Sequence, residues 1–166
     1  MRIKKNKGFT LIELVVVIVL LGILSVTAAP KYLNLTSDAY RASLDAMAGA
    51  VNSANEMVYA KAIINNVETF PEVDGSELDD YNAGSTIIHG KMQSDDVTMK
   101  MFVPSLESTN DWTIIKNGDV NMRIHPAGHP TIEGEGNCYI QYSHQWSRQV
   151  GDFTYPAKIA YYTDDC

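Results

Sequence analysis

Several groups of residues in this chain have the side-chain types from which sites are built. His125 and His129 stand four apart in HPAGHP, and four is the spacing that puts two imidazoles on one helix face to hold zinc. Here Pro126, Gly128 and Pro130 exclude a helix, so the spacing loses that meaning and a loop is expected. Asp74, Glu77, Asp79 and Asp80 crowd one short stretch, as calcium ligands do, but they do not follow the EF-hand pattern. A solvated acidic loop is the expected reading, so no metal or other cofactor is assigned. His89 and His144 are isolated and are expected at the surface or as strand partners. No nucleophile elbow, Walker loop, HExxH or CxxC is present, so the chain is not read as an enzyme.

One acid is different. Glu13 lies in Phe9 to Pro30, FTLIELVVVIVLLGILSVTAAP, which is otherwise almost entirely apolar. At 1.5 Å per residue this stretch makes a helix of about 33 Å, close to the hydrocarbon thickness of a bilayer. A carboxylate there costs about 2.5–3.5 kcal/mol even on lenient insertion scales. Glu13 therefore needs a partner or a function.

Three processing routes fit the basic leader MRIKKNKG followed by an apolar run. A secretory signal peptide would be cut near Thr27, Ala28 and Ala29. A signal anchor would keep the whole helix. A prepilin-type leader would be cut after Gly8, leaving the helix on the mature protein. Only the third accounts for the acid, because cleavage before Phe9 creates an ammonium at the helix end. Ammonium and carboxylate, each costly alone in lipid, compensate one another when paired. The ammonium can come from a neighbouring copy, which also fixes register, or from the same chain one helical turn away. The helix dipole favours the acid in either case.

Lys7-Gly8-Phe9-Thr10-Leu11-Ile12-Glu13-Leu14 resembles the cleavage and methylation motif of type IV pilins and type II secretion pseudopilins. The onward stretch GILSVTAAPKYLNLTSDAYRASLDAMAGA is more narrowly similar to the mannose-sensitive haemagglutinin (MSHA) pilins, over roughly Phe9 to Lys61. The resemblance implies cleavage after Gly8 by the prepilin peptidase and N-methylation of Phe9. It implies that Glu13 binds the Phe9 amine of an adjacent subunit in a homopolymeric filament. It also implies that Gly22 to Pro30 can lose helical structure when a filament is stretched, whereas in an isolated subunit a kink near Pro30 is expected.

Behind the apolar stretch, helical periodicity persists. Leu35, Ala39, Ala42, Ala46, Gly49, Ser53, Met57, Ala60 and Ile64 form a stripe of mainly small side chains. Such a stripe admits close approach of a second backbone, either the domain's own sheet or neighbouring helices. Tyr40, Leu44, Met47, Val51 and Val58 add bulk on a flanking face. The helix is expected to run from about Phe9 to Asn65, roughly 80–85 Å, far beyond the usual globular helix.

Val67 to Ser85 reads as a connecting loop. After it a period of two sets in, with Val97, Met99, Met101 and Val103 giving one apolar strand face. Trp112–Lys116 and Val120–His125 flank Asn117-Gly118, a hairpin dipeptide, and Cys138–Tyr142 and Lys158–Thr163 are two further strand candidates. The expected fold is α+β: one very long helix whose C-terminal half packs on an antiparallel sheet of four or five strands, as in the pilin fold. Three segments follow: a cleaved leader 1–8, a membrane and assembly helix 9–30, and an exported domain 31–166.

Cys138 and Cys166 fit a disulfide in an exported domain; two free thiols in a cytosolic one is the alternative. The bridge would close a loop of roughly 29 residues, worth about 3–4 kcal/mol in the chain-entropy model. Trp146 with Tyr139, Tyr142, Tyr155, Tyr161 and Tyr162 makes this region aromatic, as sheet core and edge or as exposed rings for sugars or neighbours. The net charge of −7 is uneven: four of thirteen basic residues lie in the first eight positions, leaving nine against twenty acids. A body at −11 repels nucleic acid. The expected protein is an MSHA-like pilus subunit of a Gram-negative bacterium. It is held in the inner membrane before an assembly platform polymerises it into an extracellular fibre for adhesion to a host, abiotic or glycan surface. A minor pilin, a type II secretion pseudopilin and a membrane-anchored binding protein are the alternatives.

Overall fold

A computed structural model describes residues 9–78, 83–107, 111–129, 136–144 and 157–166. The chain divides into two compact units, one up to Ala39 and one from Tyr40 to Cys166. Helix α1, Leu11–Ile64, contributes to both and is continuous through Gly22 and Pro30.

The helix ends where its sequence stops favouring it. Asn66 takes a left-handed conformation with φ 58°. Its N–H donates to the Ile63 carbonyl at 3.1 Å, and the Val67 N–H reaches back to Ala62 at 2.9 Å. That pair of bonds is a Schellman cap, and buried Val67 adds the apolar contact that accompanies it.

Within the second unit, Leu44, Met47, Ala48, Val51, Ala54, Val58 and Ala62 are buried, so the bulky flanking face is the one that enters the core. The small-residue stripe from Ala42 to Ile64 is exposed throughout. Of the two occupants considered for it, the domain's own sheet is therefore excluded.

The core is completed by two antiparallel sheets. The main one has the consecutive order β4-β5-β6-β7, formed by Trp112–Lys116, Asn121–Pro126, Tyr139–Ser143 and Lys158–Tyr162. Met122 opposes Tyr142 and Ile124 opposes Ile140, which places one row of large side chains in the core. The smaller sheet joins β1 Val73–Asp74, β2 Thr86–Ile88 and β3 Lys91–Met92. Its first strand lies in the segment expected to be loop alone.

The stretch expected as a strand over Val97–Val103 is helix α2, Asp96–Phe102. Its alternation suits a strand, but Met99 and Val103 are also four apart, and those two are buried while Val97 is exposed. Asp95 settles the choice by capping the helix, accepting from the Thr98 N–H at 2.9 Å.

Two of the described turns between paired strands differ from what dipeptides indicate. Asn117 keeps a negative φ, and its N–H bonds the Asn121 carbonyl at 2.9 Å, so the loop is longer than the two-residue Asn-Gly turn. The tight turn is His89-Gly90, where both residues have positive φ, as a type I′ hairpin requires. A side chain at Gly90 would come within 2.8 Å of the Tyr59 ring, so close packing adds to the demand for glycine.

Candidate assembly segment at the start of the helix

The first turn of α1 is organised by four residues, Thr10 to Glu13. The Thr10 hydroxyl oxygen accepts from the Glu13 N–H at 3.3 Å, and Glu13 Oε2 accepts from the Thr10 N–H at 2.8 Å and its hydroxyl at 2.7 Å. This is a reciprocal capping box. The Thr-x-x-Glu pattern is legible in the sequence, and it makes Thr10 the cap of the helix, a role not expected from the motif's resemblance alone. In the single chain, Glu13 is thus held by the helix's own amino end.

Beyond that turn the apolar side chains of the segment stay exposed. Every large apolar side chain from Phe9 to Val26 is exposed, none by less than 42%. Residues Leu11–Ala29 are long and apolar enough to cross a membrane. The polar groups that remain are already satisfied: Ser25 donates to the Leu21 carbonyl at 2.7 Å and Thr27 to Leu24 at 2.9 Å. Backbone and hydroxyls therefore place no obstacle to hydrocarbon, and Glu13 is the sole ionisable side chain of the span. A Cβ on Gly22 would meet nothing within 4 Å. The folded chain itself therefore gives no steric reason for glycine there. Gly8 lies outside the described residues.

The other candidates are structural. Cys138 and Cys166 form a disulfide that ties the last residue to the start of β6. Around it, the Asn137 N–H donates to Asp165 Oδ2 at 2.7 Å, and the Arg41 guanidinium donates to the Thr163 carbonyl at 3.3 Å. The helix and the chain end are thereby joined within the second unit. Asp74 caps a short 3-10 turn at Gly75–Glu77. The hydroxyl and N–H of Ser76, with the N–H of Gly84, hold its carboxyl below the usual carboxylate range. Asp79 and Asp80 lie outside the described residues, and no described cluster of acids, histidines or cysteines is arranged around a metal position.

His125 belongs to strand β5 rather than to a loop, and His129 meets the Tyr40 ring edge-on at 4.8 Å. All four histidines are buried, which corrects the surface expectation for His89 and His144. Among the aromatics, Tyr139 and Tyr142 are interior, whereas Tyr161 and Tyr162 are exposed on β7. Tyr162 stacks on Tyr139 at 4.6 Å, and the Arg123 guanidinium lies over the same Tyr139 ring at 4.8 Å. Trp146, Tyr155 and Pro130 lie outside the described residues.

One internal network positions β6 against the helix. Asn55, buried on α1, accepts from the Met92 N–H at 3.0 Å. The Tyr142 hydroxyl lies 2.7 Å from the Met92 carbonyl and 3.1 Å from Asn55 Oδ1, sharing its proton between two acceptors. Burial pushes the Tyr142 phenol well above its ordinary range, so it remains a donor at any ordinary pH.

Comparison with known proteins agrees with this geometry. Residues 3–29 match the model of the prokaryotic N-terminal methylation motif. The type IV narrow pilus major component PilA5 of Thermus thermophilus is 44% identical over 84 residues, covering 49% of this chain and 69% of that protein. No solved structure matches the chain significantly. With a methylation motif at the head of an exposed apolar helix and an α+β body behind it, the chain belongs to the type IV pilins, the subunits of pilus filaments.

Proposed function

We propose that this pilin is the structural subunit of an MSHA-like pilus used for surface attachment. Prepilin peptidase removes residues 1–8 after Gly8, and Phe9 is N-methylated. Residues 9–30 then hold the subunit in the inner membrane of a Gram-negative cell, with 31–166 outside, until an assembly platform draws it into the fibre. The observation that carries this reading is the stretch from Phe9 to Val26, whose large apolar side chains are exposed and whose one acid has its described partners on Thr10. In the fibre, identical helices cover that surface, and Glu13 exchanges Thr10 for the Phe9 ammonium of a neighbour. The pair forms in low dielectric, where it offsets the cost of both charges. The exposed stripe from Ala42 to Ile64 supports close helix contacts further along. Gly22 and Pro30 mark the part of the helix that yields under tension.

Mass spectrometry of protein sheared from cells tests the processing directly. The expected product begins at N-methylated Phe9 and is the dominant species in the filaments. A mature start near Pro30 overturns the reading in favour of an ordinary signal peptide, and trace abundance in the fibre overturns the major-subunit role.

A further inference from the structure

We propose that the contact between His144, at the end of β6, and Ser94, at the corner leading into α2, is an acid-operated latch, closed when His144 is neutral and released when it is protonated. The contact is built from buried groups: Ser94 is 1% exposed and His144 5%. The Ser94 N–H donates to His144 Nδ1 at 3.1 Å, and the Ser94 hydroxyl lies 2.7 Å from the same nitrogen. An imidazole nitrogen accepts a backbone N–H only while it carries no proton. The backbone bond therefore fixes the tautomer, with the remaining proton on Nε2. His144 is itself anchored, its N–H donating to the Val120 carbonyl at 3.2 Å.

Protonation at Nδ1 turns the acceptor into a donor. The Ser94 N–H then faces another N–H in a buried site and loses its partner, an arrangement that costs the full desolvation of the amide. The neighbouring residue offers the imidazolium an alternative. Asp95 uses one carboxylate oxygen to cap α2 through the Thr98 N–H. Its other oxygen, Oδ2, is buried and has no hydrogen-bond partner among the described residues. A buried acceptor left open calls for an explanation, and a second state in which His144 donates to it supplies one.

Among the described residues, the charges acting on His144 come from two places in the fold. Burial pushes its imidazole below the ordinary 6.5, Asp95 at the head of α2 pulls it back up, and Lys116 on β4 depresses it further. The latch is therefore closed at neutral pH and opens as pH falls below 6.5. Its release frees a corner through which three elements are connected, since Thr98 of α2 also accepts the Thr86 N–H of β2 at 2.8 Å.

Hydrogen exchange of the full chain in detergent micelles tests this, with rates corrected for the intrinsic pH dependence of amide exchange. Between pH 7.5 and pH 5 the protection of the Ser94 amide is expected to fall about tenfold or more. In His144→Asn, a carboxamide oxygen takes the place of Nδ1 without titrating, so protection becomes independent of pH over this range. Asp95→Asn retains a good helix cap but removes the anion, so the opening midpoint moves to lower pH. Unchanged Ser94 protection in the native protein, or the same acid response in His144→Asn, overturns the latch. Should His144→Asn fail to fold, the imidazole resonances of His144 decide: a titration midpoint matching that of Ser94 opening, and moving with it in Asp95→Asn, upholds the latch, and a mismatch overturns it.

Discussion

Glu13 and Asn55 stand on the same helix and meet opposite surroundings. Asn55 is buried and bonded to Met92 and Tyr142, residues far along the chain that fold back onto it. Glu13 is exposed, and its described partners all belong to Thr10, three residues away. The apolar residues divide in the same way. Leu44, Val51 and Val58 are fully covered by their own chain, whereas Leu14, Ile18 and Leu21 are exposed. A single secondary structure thus contains one segment whose folding is complete within the chain and another whose completion requires other molecules. Helix propensity does not distinguish them; the availability of a sheet does.

That contrast can be broken by mutation, and the largest effect is expected where the chain is incomplete. Glu13→Val removes the carboxylate while keeping an apolar helix. Insertion and thermal stability of the second unit should be unchanged, while fibre yield falls to background in sheared preparations viewed by electron microscopy. Normal fibres from this variant would show that the acid has no role in assembly.

In the second unit, effects should appear as folding stability. Replacing Cys138 and Cys166 together by Ser is expected to cost about 3–4 kcal/mol, measured by denaturant unfolding in micelles. A smaller loss, about 1–2 kcal/mol, is expected for Tyr142→Phe, which leaves the buried acceptors of Met92 and Asn55 short of a donor. If that variant is neutral, the network positions β6 without stabilising it.

The smallest and most gradual effect is expected with pH. His125 is held below its ordinary value by burial first, then by Arg123 and His129, and His144 is depressed chiefly by burial. Both are neutral in the fold and charge more readily when unfolded. The unfolded chain therefore binds more protons just below 6.5, and stability declines as pH falls from there through the lower folded values. The segment from Phe9 to Ala39 contains no histidine, so its helicity in micelles should not follow this curve.

Legibility in the sequence varied with the range of the interaction responsible. The long helix was readable because a 3.6-residue pattern persists over many turns, and its end was signalled by Asn65-Asn66. The four strands of the main sheet are readable from alternation and spacing, whereas their consecutive order comes from the structure. Residues 97–103 alternate as a strand does, but the same seven residues also satisfy an i, i+4 pair, and one capping aspartate decides for the helix. The buried state of His89, His125, His129 and His144 had no local signal, since it depends on strands that meet only in the folded unit. At the helix start the reverse holds: Thr10 and Glu13 are close enough in sequence for their capping box to have been read directly.

The exposed helix also has a consequence for how subunits can be exchanged. Placing the side chains from Phe9 to Val26 in water would cost on the order of tens of kcal/mol, at about 25 cal/mol for each Å² of apolar surface. Release of a subunit from the outer tip of a fibre would require such exposure, whereas release at the base returns the helix to lipid. On the proposed assembly, the two ends of the polymer are therefore energetically inequivalent: one can hand a helix back to lipid, and the other can only expose it to water.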